Sequence, residues 1–209
     1  TKYGAVVHDY YNSNIDDVYT GINRLIEICR EDDKLIVFIA GHGYYESKTK
    51  TASLPLSDSE SPSNDPRLTT YLKLSDLKQR LDDAATKNVF IIFDVCFGAQ
   101  FEANAHNLTL SNYEKELQDV DFNTFEQRMN EGRTRIFMAS GKYEVPDYWD
   151  NSLNHSPFAK KLIYGLKQER DFITPSKLYS YVRANATEPE LKWFGQHNDR
   201  SDFILRVQK

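Results

Sequence analysis

The hydrophobic positions of this chain fall into two kinds of run. Unbroken blocks of Val, Ile and Phe occur at Leu35–Ala40 and Val89–Phe93, and a related block spans Arg135–Ala139. Short apolar runs of this kind, bounded by polar residues, predict strands covered on both faces, as in a parallel sheet. Two weaker strand signals lie near the ends, at Tyr3–Tyr11 and Phe203–Leu205. Between the blocks the spacing turns helical. Ile15, Val18, Tyr19, Ile22, Leu25, Ile26 and Cys29 form one amphipathic stripe after Asn12-Ser13-Asn14, with Asp16 and Asp17 in its first turn, where acids suit the helix dipole. Ser75 is expected to cap a helix carrying Leu77, Leu81, Ala84 and Ala85. Pro157 opens another, with Phe158, Ala159, Leu162, Ile163 and Leu166 on one face, and Thr174-Pro175 starts a last one with Leu178, Tyr181 and Val182.

Two stretches lack a core signal. Residues 44–70 read as a long polar loop with a short paired segment at Leu54-Pro55-Leu56. From Glu102 to Gly132 an Asn-rich piece is followed by short helical patterns at Tyr113–Leu117 and Phe122–Met129. Strands alternating with helices predict an α/β fold with a largely parallel sheet. The expected organisation is one domain over residues 1–209: a first part, 1–101, a linker or insertion, 102–134, and a second part, 135–209.

Composition narrows the classes. The chain has 209 residues, 40% hydrophobic and 27% charged, with a net charge of −5, ordinary for a globular protein and no argument for nucleic acid or an anionic membrane. No apolar run is long enough to span a bilayer, and no signal peptide is visible. The chain starts with Thr rather than Met, so the natural N-terminus need not be present. Cys29 and Cys96 are the two cysteines, too few for a disulfide framework and consistent with a reducing, cytoplasmic setting. Cys29 closes the apolar stripe and reads as a core thiol.

Candidate chemistry sits where two of the apolar blocks end. The first ends in Gly41-His42-Gly43 and the second in Asp94-Val95-Cys96-Phe97-Gly98. In open α/β sheets, ligands lie beyond the carboxyl ends of the strands. One strand–loop–helix unit separates the blocks, so a right-handed crossover can make them neighbours and bring His42 and Cys96 to one edge. An imidazole beside a thiol takes its proton as a bond forms and later protonates the leaving amine. The N–H groups of Gly43 and Cys96 are the natural donors for an oxyanion, a contribution of about 3 kcal/mol per donor. Gly98 is expected to let the chain turn away after Cys96. His8, His106, His155 and His197 show no metal-ligand spacing. The aromatics do not interleave with a basic patch. No cofactor, nucleic acid or membrane is therefore expected.

These two motifs resemble those of the caspase-like cysteine peptidases of clan CD. Caspases carry Q-A-C-[RQG]-G with the His about 50 residues upstream. Asp94 in place of the Gln resembles the metacaspase, paracaspase and bacterial caspase-like pattern instead. Met138-Ala139-Ser140, then Tyr148-Trp149-Asp150-Asn151 and Ser156-Pro157-Phe158, are similar to the small-subunit strand, the S-W-R-N segment and the following helix of caspases. The resemblance covers most of the chain and implies a three-layer caspase-hemoglobinase fold. It implies Cys96 as nucleophile and His42 as base in a cysteine endopeptidase acting on protein or peptide substrates. The family begins with a strand and a helix ahead of the segment that opens this chain. The pair is thus expected to be missing, the chain being a fragment or another segment completing its sheet.

Where caspases place Arg and Gln against a P1 aspartate, this chain has Asp150 and Asp94. Two carboxylates select Arg or Lys and repel Asp, with Arg favoured by its planar fork. Glu144 and Asp147 are rival members of the pocket, and Trp149 is expected to wall the adjacent subsite. Metacaspases that need calcium carry dense acids after the Gly-His-Gly; Tyr44-Tyr45-Glu46-Ser47-Lys48 stands there, and Asp58, Glu60 and Asp65 are scattered, so no required metal is expected. The family has cut and uncut forms, which makes Arg128 and Arg133 candidate self-cleavage sites. Related proteins are often fused to sensor domains, and a regulatory domain or chain outside these residues is an expected partner. The rival reading is a catalytically silent caspase-like module that binds or scaffolds.

Overall fold

The computed structural model describes residues 2–102, 121–141, 155–183 and 188–208. In chain order its elements are α1 (Ile15–Ile28), β1 (Lys34–Gly41), β2 (Tyr44–Glu46), β3 (Thr51–Pro55), β4 (Tyr71–Lys73), α2 (Leu74–Asp82) and β5 (Asn88–Val95). A 3-10 helix (Gly98–Glu102), α3 (Phe122–Asn130), β6 (Thr134–Ala139), α4 (Pro157–Gln168), β7 (Phe172–Ile173), α5 (Pro175–Arg183), β8 (Glu190–Trp193) and β9 (Leu205–Arg206) follow. The main sheet has the order β1-β5-β6-β8. β1, β5 and β6 run parallel, and β8 closes the sheet antiparallel.

The blocks at Val89–Phe93 and Arg135–Ala139 become the inner strands, where each face of the sheet has its own helical cover. Leu35–Ala40 instead becomes the edge strand β1 and is not covered on both faces, Ile36 and Phe38 staying exposed because no strand lies beyond it among the described residues. Val89, Ile91, Phe93 and Val95 share one core with Leu77, Leu81 and Ile22 of the α1–α2 layer. Phe90 and Ile92 point the other way, into a core with Leu162 of α4 and Leu178 and Val182 of α5. The strand period of two divides one sequence run between two cores, and the result is the expected three-layer α/β fold. No helix among the described residues is long and apolar enough to cross a membrane.

Several expectations need correction. Residues 3–11 form no strand: the sheet ends at β1, and Val6 and Val7 stay 84% and 62% exposed, so no burial rewards pairing. The 44–70 loop contributes β2 and β3 to a small antiparallel sheet that β4 completes, because Ala52 and Leu54 of β3 bury against the α1–α2 core. Beyond the 47–50 turn, only residues 56–70 remain irregular. They are pinned by Asp65, which accepts hydrogen bonds from the Thr69 hydroxyl (3.0 Å) and from the backbone N–H (2.8 Å) and hydroxyl (2.9 Å) of Thr70; the backbone N–H groups of Thr69 and Thr70 above all, then the two hydroxyls, hold its carboxyl well below the usual range. Ser75 is not the cap of α2. The helix leaves β4 directly at buried Leu74, with Lys73 at the cap position and no side-chain cap bond. It also ends at Asp82, before Ala84 and Ala85, because the guanidinium groups of Arg133 and Arg135 take the carbonyls of Asp82 and Ala84.

Towards the C-terminus, Phe203 and Ile204 are buried core residues outside any strand, and only Leu205–Arg206 pairs, with β7 rather than with the main sheet. β8 has no counterpart among the expected strands, since its Glu190 and Lys192 interrupt the apolar pattern and pair with each other at 2.6 Å. In the 102–134 segment, Phe122–Asn130 is a helix with Phe125 and Met129 buried. The 103–120 stretch, including Tyr113–Leu117 and His106, lies outside the described residues.

At the amino end of the strands, Lys34 donates to the Ile204 carbonyl (2.6 Å) and to Asn130 Oδ1 (3.2 Å). Asp202 is buried beside it, one carboxylate oxygen accepting from the Phe203 N–H at 2.7 Å. Burial pushes the Asp202 carboxyl up to about 7, against the opposing pull of that hydrogen bond and of Lys34. An unfolded carboxyl titrates near 4, so from there to about pH 7 the folded chain holds a proton that the unfolded chain has lost. The stability this confers is complete below about pH 4 and is lost as pH rises through about 7. Replacing Asp202 by Asn removes the charge at every pH. The melting temperature of Asp202→Asn is therefore expected to gain on the parent between pH 5 and pH 8, by on the order of 5 °C. A gap that stays constant over that range contradicts this assignment.

Candidate active site

The pairing of β1 with β5 decides where the candidate residues stand. Lys34 lies opposite Asn88 and Gly41 opposite Val95, 54 positions apart at every step. His42 and Cys96 are the next residue on each strand, at the same offset. They leave neighbouring parallel strands at one level of the carboxyl edge. Just before them, Ile36, Phe38 and Ala40 of β1 and Phe90, Ile92 and Asp94 of β5 line the α4–α5 side of the sheet. His42 is exposed and Cys96 half-buried, and both cysteines are free thiols. Cys29, also half-buried, packs against the α1–α2 core, where burial, then the nearby Asp33, pushes its thiol up.

Gly43 packs directly on the Cys96 backbone. A Cβ at this position would stand 1.8 Å from the Cys96 carbonyl oxygen and 3.3 Å from its Cα, so only glycine lets the two loops approach this closely. The sharp turn after Cys96 is made by Phe97, at φ +59°, and not by Gly98. Gly98 is needed for space instead, since a Cβ there would meet Phe93 Cβ at 2.8 Å. A left-handed Phe costs about 1–2 kcal/mol. Around it, the Gln100 N–H donates to the Phe97 carbonyl (2.9 Å) and the Ala99 N–H to the Gly141 carbonyl (3.3 Å). Ser140 joins from β6, its N–H donating to Phe93 O at 2.8 Å and its hydroxyl to Val95 O at 3.3 Å. The arrangement places a thiol and an imidazole at one sheet edge, with the Gly43 loop against the Cys96 backbone.

The caspase domain model matches residues 1–204. The chain belongs to the caspase-domain family. A comparison with curated proteins returns no match. The caspase domain is that of a cysteine-type peptidase, a hydrolase whose substrates are proteins, and the mixed sheet flanked by helices is the architecture this membership implies.

In this caspase domain, Asp94 follows Phe90 and Ile92 on the α4–α5 side and stands beside the N-terminus of α4. The Ser156 hydroxyl donates to Asp94 Oδ2 at 2.5 Å and accepts from the Ala159 N–H at 2.9 Å as the helix cap. Ser156 carried a readable sequence signal as a cap, in Ser156-Pro157, but nothing in the sequence linked it to Asp94. Ala40, Asp94, His155 and Ser156 border an apolar cavity of about 410 Å³ that runs down the sheet between Phe38, Ile92 and Leu162. Glu144, Asp147, Trp149 and Asp150 lie outside the described residues. Arg128 is exposed in the last turn of α3. Arg133 is half-buried, donating to the carbonyls of Asp82 (2.7 Å) and Ala84 (2.9 Å).

The Gly43 contact is testable. In Gly43→Ala the new methyl meets backbone, which cannot rotate away, so the two loops must part. A loss of about 1–3 kcal/mol of stability is expected, with a changed rate of Cys96 alkylation. A variant with the parent's melting temperature and alkylation rate shows that the loops do not touch in solution.

Proposed function

We propose that this caspase domain is a cysteine endopeptidase that cuts after a basic residue, Arg in preference to Lys, through an acyl-enzyme. The reading rests above all on the β1–β5 register, which brings His42 and Cys96 to one level, with Gly43 against the Cys96 backbone. His42 takes the thiol proton as Sγ attacks the scissile carbonyl. The N–H groups of Gly43 and Cys96 receive the oxyanion, a contribution of about 3 kcal/mol per donor. His42 then protonates the leaving amine, and water, deprotonated by the same imidazole, hydrolyses the thioester.

The P1 preference is assigned to Asp94. Ser156 fixes its carboxylate in the wall of the cavity, where the stem of an arginine side chain gains apolar contact and its head an anion. Asp150, with Glu144 and Asp147 as rivals, is proposed from the family resemblance as the second carboxylate, and Trp149 as the wall of the next subsite. Self-processing is proposed for the 102–134 segment. Cleavage at Arg128 requires the end of α3 to open, and cleavage at Arg133 requires its two carbonyl contacts to break.

A panel of fluorogenic peptides varied at P1 tests the reading. Arg is expected to be cut fastest, then Lys, with Asp inert and Cys96→Ala at least 1,000-fold slower, on the order of the loss when a nucleophile is removed. Asp94→Asn is expected to narrow the preference for Arg over a neutral P1 by about tenfold. A preference for Asp at P1 overturns the pocket assignment, and full activity of Cys96→Ala overturns the mechanism. Mass spectra of incubated protein should show fragments ending within 102–134 for the parent and an intact chain for Cys96→Ala.

A further inference from the structure

Two aromatic rings tie the His42 loop to the Cys96 turn. Tyr45 follows His42 by three residues on β2, where its backbone pairs with Ala52 of β3 and its ring packs against the α1–α2 core. Phe97 follows Cys96 directly. The two rings stack at 5.8 Å between centroids and 24° between planes. The backbone at Phe97 is left-handed, φ +59°, a conformation that glycine adopts without strain and a bulky residue does not. The chain thus carries an aromatic ring where the backbone alone favours no side chain. A strained non-glycine residue beside a candidate nucleophile is where a functional constraint is looked for. The ring's partner is anchored in a separate sheet, β2-β3-β4. The stack therefore couples that sheet to the carboxyl end of β5.

We propose that Tyr45 and Phe97 are positioning residues of the peptidase site. Their stack holds the loop carrying His42 against the turn carrying Cys96 and so keeps imidazole, thiol and the Gly43 N–H in one arrangement. This rests on the reading of Cys96 and His42 as the catalytic pair. Neither ring takes part in the chemistry. What the stack supplies is geometry, and displacements of about 1 Å at reacting groups cost on the order of 100-fold in rate.

The test compares Tyr45→Ala, Phe97→Ala, the double variant, Phe97→Gly and the conservative pair Tyr45→Phe and Phe97→Tyr. Three quantities are read: kcat and KM on an Arg peptide, the melting temperature, and iodoacetamide alkylation of Cys96 by peptide mass, with Cys29 as internal reference. Each alanine variant is expected to lower kcat about 10- to 100-fold with KM within about twofold. The double variant should be no worse than the poorer single one, since the rings act as one unit. Phe97→Gly relieves the backbone, so it should melt no lower than Phe97→Ala yet lose as much kcat, while Tyr45→Phe and Phe97→Tyr keep the parent's rate. Cys96 alkylation should change in the ring-deleted variants while that of Cys29 does not.

Full kcat in Phe97→Gly overturns the proposal, as does a multiplicative loss in the double variant or a loss that only follows the unfolded fraction. The two readings fail separately. If the parent cuts no peptide but Cys96 alkylation still responds to both rings and not to either conservative change, the catalytic pair is wrong and the coupling stands. If the parent is active and every ring variant matches it, the coupling is wrong and the catalytic pair stands.

Discussion

The pairing of Lys34–Gly41 with Asn88–Val95 is the constraint on which everything else depends. Strand side chains alternate with a period of two, so a slip of one residue would move His42 off the level of Cys96 and exchange the faces of every side chain on the slipped strand. The register is held because both faces are committed. Leu35, Val89, Ile91 and Phe93 serve one core, and Phe90 and Ile92 the other, so any slip would move apolar side chains out of both. The amino ends of the strands are tied as well. The Thr86 hydroxyl donates to the Asp33 carbonyl and accepts from the Asn88 N–H at 3.1 Å, and the Lys87 N–H donates to Glu31 O at 2.8 Å.

Below the sheet, one buried cation organises the connections. Arg135, fully buried on β6, donates through Nη1 to the carbonyls of Lys87 and Thr134 and through Nη2 to those of Asp82, Ala84 and Thr86, at 2.9–3.1 Å. Asp82 lies 3.4 Å from its Nε. Burial pulls the guanidinium down to about 10, which still leaves it charged at neutral pH. A buried charge is tolerable only when its donors are met, and here the partners are the carbonyls freed where α2 ends and β5 begins. The Arg135 N–H donates in turn to His197 Nδ1 at 3.1 Å. Burial holds that imidazole down to about 4, so it remains a neutral acceptor. The end of α2, the start of β5 and the segment after β8 are thereby joined at one residue, the first two through its guanidinium and the third through its backbone N–H.

At the opposite edge, Asp94 lies between two demands. Ser156 ties it to the positive end of α4, an ordinary stabilising arrangement for an acid. The same bond fixes the carboxylate in the wall of an apolar cavity, where a cationic side chain finds both an anion and apolar walls. In the proposed peptidase these roles are compatible, because an oriented carboxylate recognises a planar guanidinium better than a mobile one. The helix dipole weakens the anion's field, so a second carboxylate from the 142–154 segment would strengthen selection for a cation.

The amino-acid order by itself determined the three parallel strands of the sheet, the main helices and the family. Each of these is written in contiguous residues: the blocks at Leu35–Ala40 and Val89–Phe93, the stripe from Ile15 to Cys29, and the two motifs ending in His42 and Cys96. Even the offset of 54 between those motifs matches the strand register. What local pattern does not encode is which distant group meets which. Ser75 has the chemistry of a cap and does not cap α2, because the chain enters that helix straight from β4. Residues 3–11 have strand-like composition and form no strand, because a strand is stabilised by a partner rather than by its own sequence. β8 was invisible because its burial comes from a neighbouring strand and an internal ion pair. The bond from Ser156 to Asp94, the Tyr45–Phe97 stack and the five carbonyls around Arg135 join residues 48 or more positions apart in most cases. Only the folded chain brings them within reach, and long-range contact of that kind is the tertiary structure's own contribution.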